Sequence, residues 1–332
     1  MTRRALPFAV VSWLAIAVLT IAMLAVPTLT YVYVRERVQL GAQQSAPRLG
    51  PLAPALEREF AAARSTPSFV VLGYHDLIKS RPGDEQEPDG RRVSVSVTAF
   101  AAHLRMLRVA GYRSVSAAEV ADFVTGHGVL PRRAVLIAFD GARWRDWSYA
   151  DPALEAAGFQ ATIFIDTASV RSRRGVSLSW LALRKMTETG RWSVGVAGTR
   201  ASVTTDAAGT RASALLAHRW LPHAERPETT GEFQQRIKAD VDAQRQTVIE
   251  QGLPAPRLYS YPFQPRYPLD SARLAELNGT VTAGFAGAVL SLVQDESVDA
   301  GWVAERVLPR IEVYSSTTDE MLFNRIQNLA TA

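Results

Sequence analysis

The chain has 332 residues, 47% hydrophobic and 21% charged, enough for a membrane segment beside one large domain. Its 37 basic and 32 acidic residues leave a formal charge of +5, spread along the chain without an aromatic–basic module, so no nucleic-acid partner is expected. With no cysteine, disulfides, thiolate metal sites and cysteine nucleophiles are excluded, and any metal would have to be held by Asp, Glu or the five histidines.

From Phe8 to Val34 no residue is charged. A helix of that length reaches roughly 40 Å, more than the hydrocarbon core of about 30 Å requires. Trp13 at one end and Tyr31 and Tyr33 at the other suit the two interfaces. Residues 1–37 therefore read as a short cytoplasmic stub and a single-pass transmembrane anchor. The rival, a signal peptide cleaved after Ala22 or Ala25, lacks a small-x-small pattern, and the apolar run continues past both. A short head before a long domain predicts that the domain is extracytoplasmic. Residues 38–67, rich in Ala, Pro and Gln, read as a linker with a helix near Leu56–Ala63.

From residue 68 to 332 the hydrophobic period switches repeatedly between strand and helix. Strands are expected at Phe69–Tyr74, Arg113–Ser116, Val135–Phe139, Ala161–Ile165, Trp192–Val196, Leu258–Tyr261 and Val281–Phe285. Helices are expected at Thr98–Ala110, Ala117–Thr125, Ser148–Ala157, Leu178–Thr189, Gly231–Gln251, Ser271–Leu277 and Thr317–Ile326, several with a glycine stop. About seven strand–helix units imply one α/β domain with a parallel sheet, closed into a barrel. Asn278-Gly279-Thr280 fits the N-glycosylation pattern, although Asn-Gly is first of all a turn signal.

"AVLIAFDGARWRD" carries a buried strand into Asp140, at the carboxyl end where α/β enzymes keep their chemistry. Beside it, Arg143, Trp144, Arg145, Asp146 and Trp147 form an aromatic–basic cluster that either lines a sugar-stacking groove or caps the barrel mouth. His75 ends the first strand and is expected to face the same pocket. His103 reads as a satisfied helix residue, His127 as a turn residue, and His218 and His223 as loop residues.

The order of "VVLGYHDL", "AVLIAFDGARWRD", "VGVAGTRAS", "YSYPF" and "LPRIEV" resembles the polysaccharide deacetylase family, the NodB-homology or carbohydrate esterase family 4 group. Within it, the sequence is most similar to the branch that N-deacetylates poly-β-1,6-N-acetylglucosamine. The resemblance spans roughly Ser68 to Ile326 and implies a distorted (β/α) barrel. It also implies hydrolysis of a non-peptide C–N bond, with a divalent metal (Zn, Co or Ni) polarising the acetamide carbonyl and activating water. Carried over by position, Asp140 matches the general base and His75 is a second catalytic candidate. Asp76, Trp144, Tyr261, Pro262 and Phe263 fall on the substrate groove. The metal-ligand positions fall on Gly141, Ala197 and either Ala201 or Ser202, none of which offers the family's carboxylate or imidazole.

Three readings follow from this pattern. One is a membrane-anchored, catalytically impaired homologue, without a cofactor, that binds an N-acetylglucosamine-containing polysaccharide or joins a complex. Another is an active deacetylase with a displaced metal site drawn from His75, Asp76, Asp140 and a loop histidine. A third is a structural partner of a membrane polysaccharide synthase. Metal-free glycosidic hydrolysis would need a second carboxylate about 5–10 Å from Asp140.

Overall fold

A computed structural model describes residues 53–62, 68–79, 93–170, 177–198, 203–205, 211–213, 217–261, 271–291 and 298–330, with Thr20, Met23 and Val26 from the amino-terminal segment. By its internal contacts the chain divides into Met1–Ser45 and Ala46–Ala332, and the fold below is that of the second unit. The expected anchor over residues 8–34 lies outside the described residues apart from those three. Among the described residues no helix is long and apolar enough to cross a membrane. Ala201, Ser202, Pro262 and Phe263 also lie outside the described residues.

Seven parallel strands close on themselves: β1 (Ser68–Tyr74), β14 (Val307–Glu312), β13 (Gly287–Ser291), β12 (Leu258–Ser260), β7 (Trp192–Ala197), β6 (Ala161–Ile165) and β5 (Arg133–Asp140), which returns to β1. The short β4 (Arg113–Ser114) pairs with the start of β5. β1 and β5 run in register from Ser68 opposite Arg133 to Tyr74 opposite Phe139. All eight residues of β5 are buried, as expected of a parallel strand covered on both faces. Small pairings lie outside the ring, including β2 (Asp76–Ile78) with β3 (Ser94–Ser96) and the hairpin of β10 (Trp220–Leu221) and β11 (Arg226–Pro227).

The helices follow their start and stop residues. Around the barrel run α2 (Val97–Val109), α3 (Ala117–Val124), α4 (Trp144–Ala157), α5 (Trp180–Glu188), α6 (Thr230–Glu250), α7 (Ser271–Thr282) and α9 (Asp319–Ala330); α1 (Pro54–Ala62) precedes the barrel and α8 (Ala300–Glu305) leads into β14. Ser116 and Glu119 form a reciprocal capping box on α3, and Thr229 and Glu232 form one on α6. Gly158 ends α4 at φ +69, a conformation that glycine adopts without a Cβ penalty.

Alternate strand residues separate two apolar clusters. Val70, Leu72, Tyr74, Val135, Ile137 and Phe139 pack outward with the surrounding helices. Phe69, Val71, Leu136, Ala138, Phe164, Ala197, Leu258, Val289 and Leu308 fill the barrel, together with one face of α3.

The structure corrects several expectations. The strand expected at Val281–Phe285 is the end of α7 and a turn, because Leu277 and Val281 are buried four residues apart on one helical face. The strand of that unit is instead β13, starting at Gly287; the ring also contains β14, which was not among the expected strands, while the strand expected at Arg113–Ser116 is only the two-residue β4 beside β5. Asn278 therefore sits inside a helix rather than in a turn, 8% exposed, its amide donating to the Glu305 carbonyl. Finally, α4 begins at Trp144 rather than Ser148, so the aromatic–basic cluster forms its first turn.

His103 is the satisfied helix residue expected. The Tyr74 hydroxyl and the Thr317 carbonyl engage its two ring nitrogens at 3.2 and 2.9 Å. Burial lowers its pKa from 6.5 to about 4, against the Thr317 carbonyl and Asp319, which raise it. The unfolded chain therefore takes up a proton that the folded chain refuses. Stability should fall by roughly 3 kcal/mol as pH drops from about 6.5 to 4. Urea denaturation across that range should show the slope, and His103→Gln should flatten it.

Candidate functional site

The parity that fills the barrel also places a polar layer at its carboxyl end. Asp140 shares its face of β5 with Leu136 and Ala138, Gly73 shares its face of β1 with Val71, and Ser260 shares its face of β12 with Leu258. Arg310 and Glu312 share theirs on β14 with Leu308, and His75 follows β1 directly.

These side chains meet around one guanidinium. Arg310, fully buried, donates from Nη2 to Asp140 Oδ2 at 2.7 Å, from Nε to Glu312 Oε1 at 2.6 Å and from Nη1 to Ser260 Oγ at 3.2 Å. The Ser260 hydroxyl donates to the other Asp140 oxygen at 3.0 Å. His75 Nε2 lies 2.6 Å from Glu312 Oε2, and its Nδ1 lies 3.7 Å from Asp140 Oδ2. Burial pushes the Glu312 carboxyl up, but the charges of Arg310 and His75 outweigh it and hold the group below the ordinary range. Burial likewise works against the Arg310 cation, and the Asp140 and Glu312 carboxylates overcome it, raising its pKa. Gly73 makes room for the arrangement: a Cβ there would lie 2.8 Å from Glu312 Oε2 and 3.1 Å from Arg310 Cδ.

A second cluster joins the start of α4 to β2. Asp76 Oδ2 accepts from Arg145 at 3.0 Å and from Ser94 at 3.2 Å, and Arg143 lies 3.2 Å away. Both arginines are partly exposed at the rim. Asp146 is fully buried and accepts the Leu77 N–H at 3.1 Å, while its other oxygen has no partner. Burial first, and the neighbouring Asp76 second, push its pKa well up. Trp144, half-buried, packs edge-on against Trp147 with ring centroids 4.9 Å apart.

Asp140 and His75 are thus brought together. Asp76 and Trp144 lie in the second cluster. Tyr261, expected on the groove wall, is 1% exposed, and its hydroxyl donates to Asn278 at 3.0 Å, so it packs in the layer between the barrel and its helices. Of the other histidines, His218 stacks on Phe233 with centroids 4.7 Å apart, and neither it nor exposed His223 joins Asp140. The sequence reading did not single out Arg310 or Glu312. The available signal was two charged residues at i and i+2 of an otherwise apolar strand, on one face of it.

The residues present do not fit the divalent ion that the sequence resemblance implies. Gly141 offers no donor, and its φ of +108 is one that an aspartate there would rarely adopt. Ala197 belongs to the apolar barrel filling. Both Asp140 oxygens already accept hydrogen bonds, and among the described residues no three His, Asp or Glu side chains stand ready to hold a metal.

No family model matches the chain, and no curated protein matches it in sequence. Solved structures do match. A de-N-acetylase from Aggregatibacter actinomycetemcomitans superposes with a TM-score of 0.61 at 18% identity, covering 77% of this chain and 99% of that one. IcaB from Ammonifex degensii gives 0.55 at 24% identity, covering 80% and 98%. The deacetylase domain of BpsB from Bordetella bronchiseptica gives 0.56 at 19%, covering 73% and 94%. At these identities the likeness is one of fold, and it spans nearly the whole of each neighbour.

Two measurements test this geometry. Gly73→Ala should lose about 1–3 kcal/mol in urea denaturation, because the added methyl displaces Glu312 and Arg310. For Asp146, the folded pKa lies above the unfolded value of 3.8. Unfolding in that window releases a proton, so stability falls as pH rises through it. Asp146→Asn, neutral at every pH, should remove that slope.

Proposed function

We propose that this protein, which has the fold of polysaccharide deacetylases, is a membrane-anchored, deacetylase-like module of cell-surface polysaccharide metabolism. In this reading it binds an N-acetylglucosamine-containing polymer, has impaired hydrolytic activity and works beside a membrane polysaccharide synthase. One observation carries it: Asp140 stands at the general-base position, yet its oxygens are held by Arg310 and Ser260, and donors are missing at Gly141 and Ala197. Metal-dependent deacetylation needs donors for its ion beside the base, and those side chains are the ones missing. Trp144, with Arg143 and Arg145 beside it, supplies a face and donors suited to stacking on and hydrogen-bonding to a sugar. The uncharged run over residues 8–34 is long enough for the anchor, and the short head before a long domain supports an extracytoplasmic domain.

Incubation with an N-acetylglucosamine oligomer, with and without chelator, should release no acetate above background. Chelator-sensitive release would replace this reading with an active metal-dependent deacetylase. Trp144→Ala should weaken oligomer binding several-fold in a calorimetric titration, and an unchanged affinity would remove Trp144 from the site. Protease added to intact cells should digest the domain, and full protection would reverse the orientation.

A further inference from the structure

We infer that the rim of the barrel mouth is a subsite for a negatively charged substituent on the bound glycan, with Arg143 and Arg145 holding the anion beside Trp144. The inference rests on the glycan-binding reading above and narrows it to an acidic polymer.

The two guanidinia are placed rather than loose. Asp76, 4% exposed, stands on β2, and its Oδ2 meets Arg145 Nη2 at 3.0 Å, Arg143 Nη1 at 3.2 Å and the Ser94 hydroxyl at 3.2 Å. One buried oxygen therefore gathers both cations, and it engages a single nitrogen of each. A guanidinium carries five N–H donors in a rigid fork. Among the described residues neither side chain has another polar partner, so most of each fork is open. The side chains are 41% and 47% exposed, so those donors reach solvent. Because Asp76 already orders both arginines, a ligand there loses less rotamer freedom to them than to free surface cations.

Charge points the same way. Two arginines share one carboxylate, and Lys79, which follows β2, adds a third cation 5.6 Å from the centre of the Tyr149 ring on α4. The second carboxyl of the cluster, Asp146, is fully buried and turned to the Leu77 N–H, and burial and Asp76 both oppose its ionisation. A carboxylate or phosphate matches guanidinium forks two hydrogen bonds at a time. A neutral N-acetylglucosamine unit offers these cations no counter-charge, and a glucosamine ammonium would be repelled. Trp144, half-buried between the two arginines in the sequence, gives a ring face to the sugar that carries the anion.

Calorimetric titration of the full chain in detergent tests this with oligomers of equal length. The probes are neutral N-acetylglucosamine, cationic glucosamine, N-acetylglucosamine alternating with glucuronic acid, and N-acetylglucosamine bearing 6-phosphates. At least one acidic oligomer should bind about tenfold more tightly than the neutral one. Glucosamine should bind most weakly, and the acidic preference should shrink as salt rises. Whichever acid binds more tightly tells carboxylate from phosphate. Arg143→Gln and Arg145→Gln, each of which leaves Asp76 one guanidinium, should lower the ratio of acidic to neutral affinity several-fold, and the double variant should abolish it. Equal wild-type affinity for neutral and acidic oligomers would overturn the inference, needs no variant, and leaves the neutral-glycan reading standing. An acidic preference that survives in the double variant would also overturn it. Binding of no oligomer at all would overturn both readings together.

Discussion

The contact between Arg310 and its two carboxylates is the constraint on which the mouth of this barrel depends. Arg310 and Glu312 stand on β14 and Asp140 on β5, with β1 between those strands and Gly73 facing the gap. Ser260 draws β12 into the same network. A guanidinium with no exposure must have its donors satisfied and its charge balanced, and here three strands contribute. Removing one partner from such a network typically costs about 3–5 kcal/mol, because the other charge stays buried. The arrangement therefore selects one register and one closure of the barrel as well as a charge state.

Below this layer the interior is apolar; above it the rim is held differently. Asp76 gathers two partly exposed arginines, and burial together with Asp76 opposes the ionisation of Asp146. The mouth thus has a nearly enclosed inner polar layer and an outer one whose donors reach solvent.

Much of this was legible in the sequence. The all-apolar run of β5 ending in Asp140 announced both a covered parallel strand and a carboxylate at its chemical end. Glycines at 111, 158 and 190 marked the ends of α2, α4 and α5. The strand expected at Val281–Phe285 misled because a short apolar run has no period of its own, and the burial of Val281 against the helix layer decided its state. The helix was expected to start at Ser148, after the aromatic–basic stretch, because the apolar face that Trp147 and Ala150 give its first turns shows only against the core. Arg310 was the least legible: a buried arginine is explained only by partners distant in sequence, and Asp140 is 170 residues away.

This distance explains how a deacetylase-type barrel stands without donors at Gly141 and Ala197. The first follows the end of β5 at a positive φ, and the second lies in the apolar filling. Gly141 donates its N–H to the Phe164 carbonyl of β6 at 2.8 Å and Ala197 lies opposite Ser260 of β12, so both serve the strands through the backbone and neither through a side-chain donor. Placing aspartate at 141 would impose backbone strain of order 1–3 kcal/mol and add a negative charge beside a centre already balanced by Arg310.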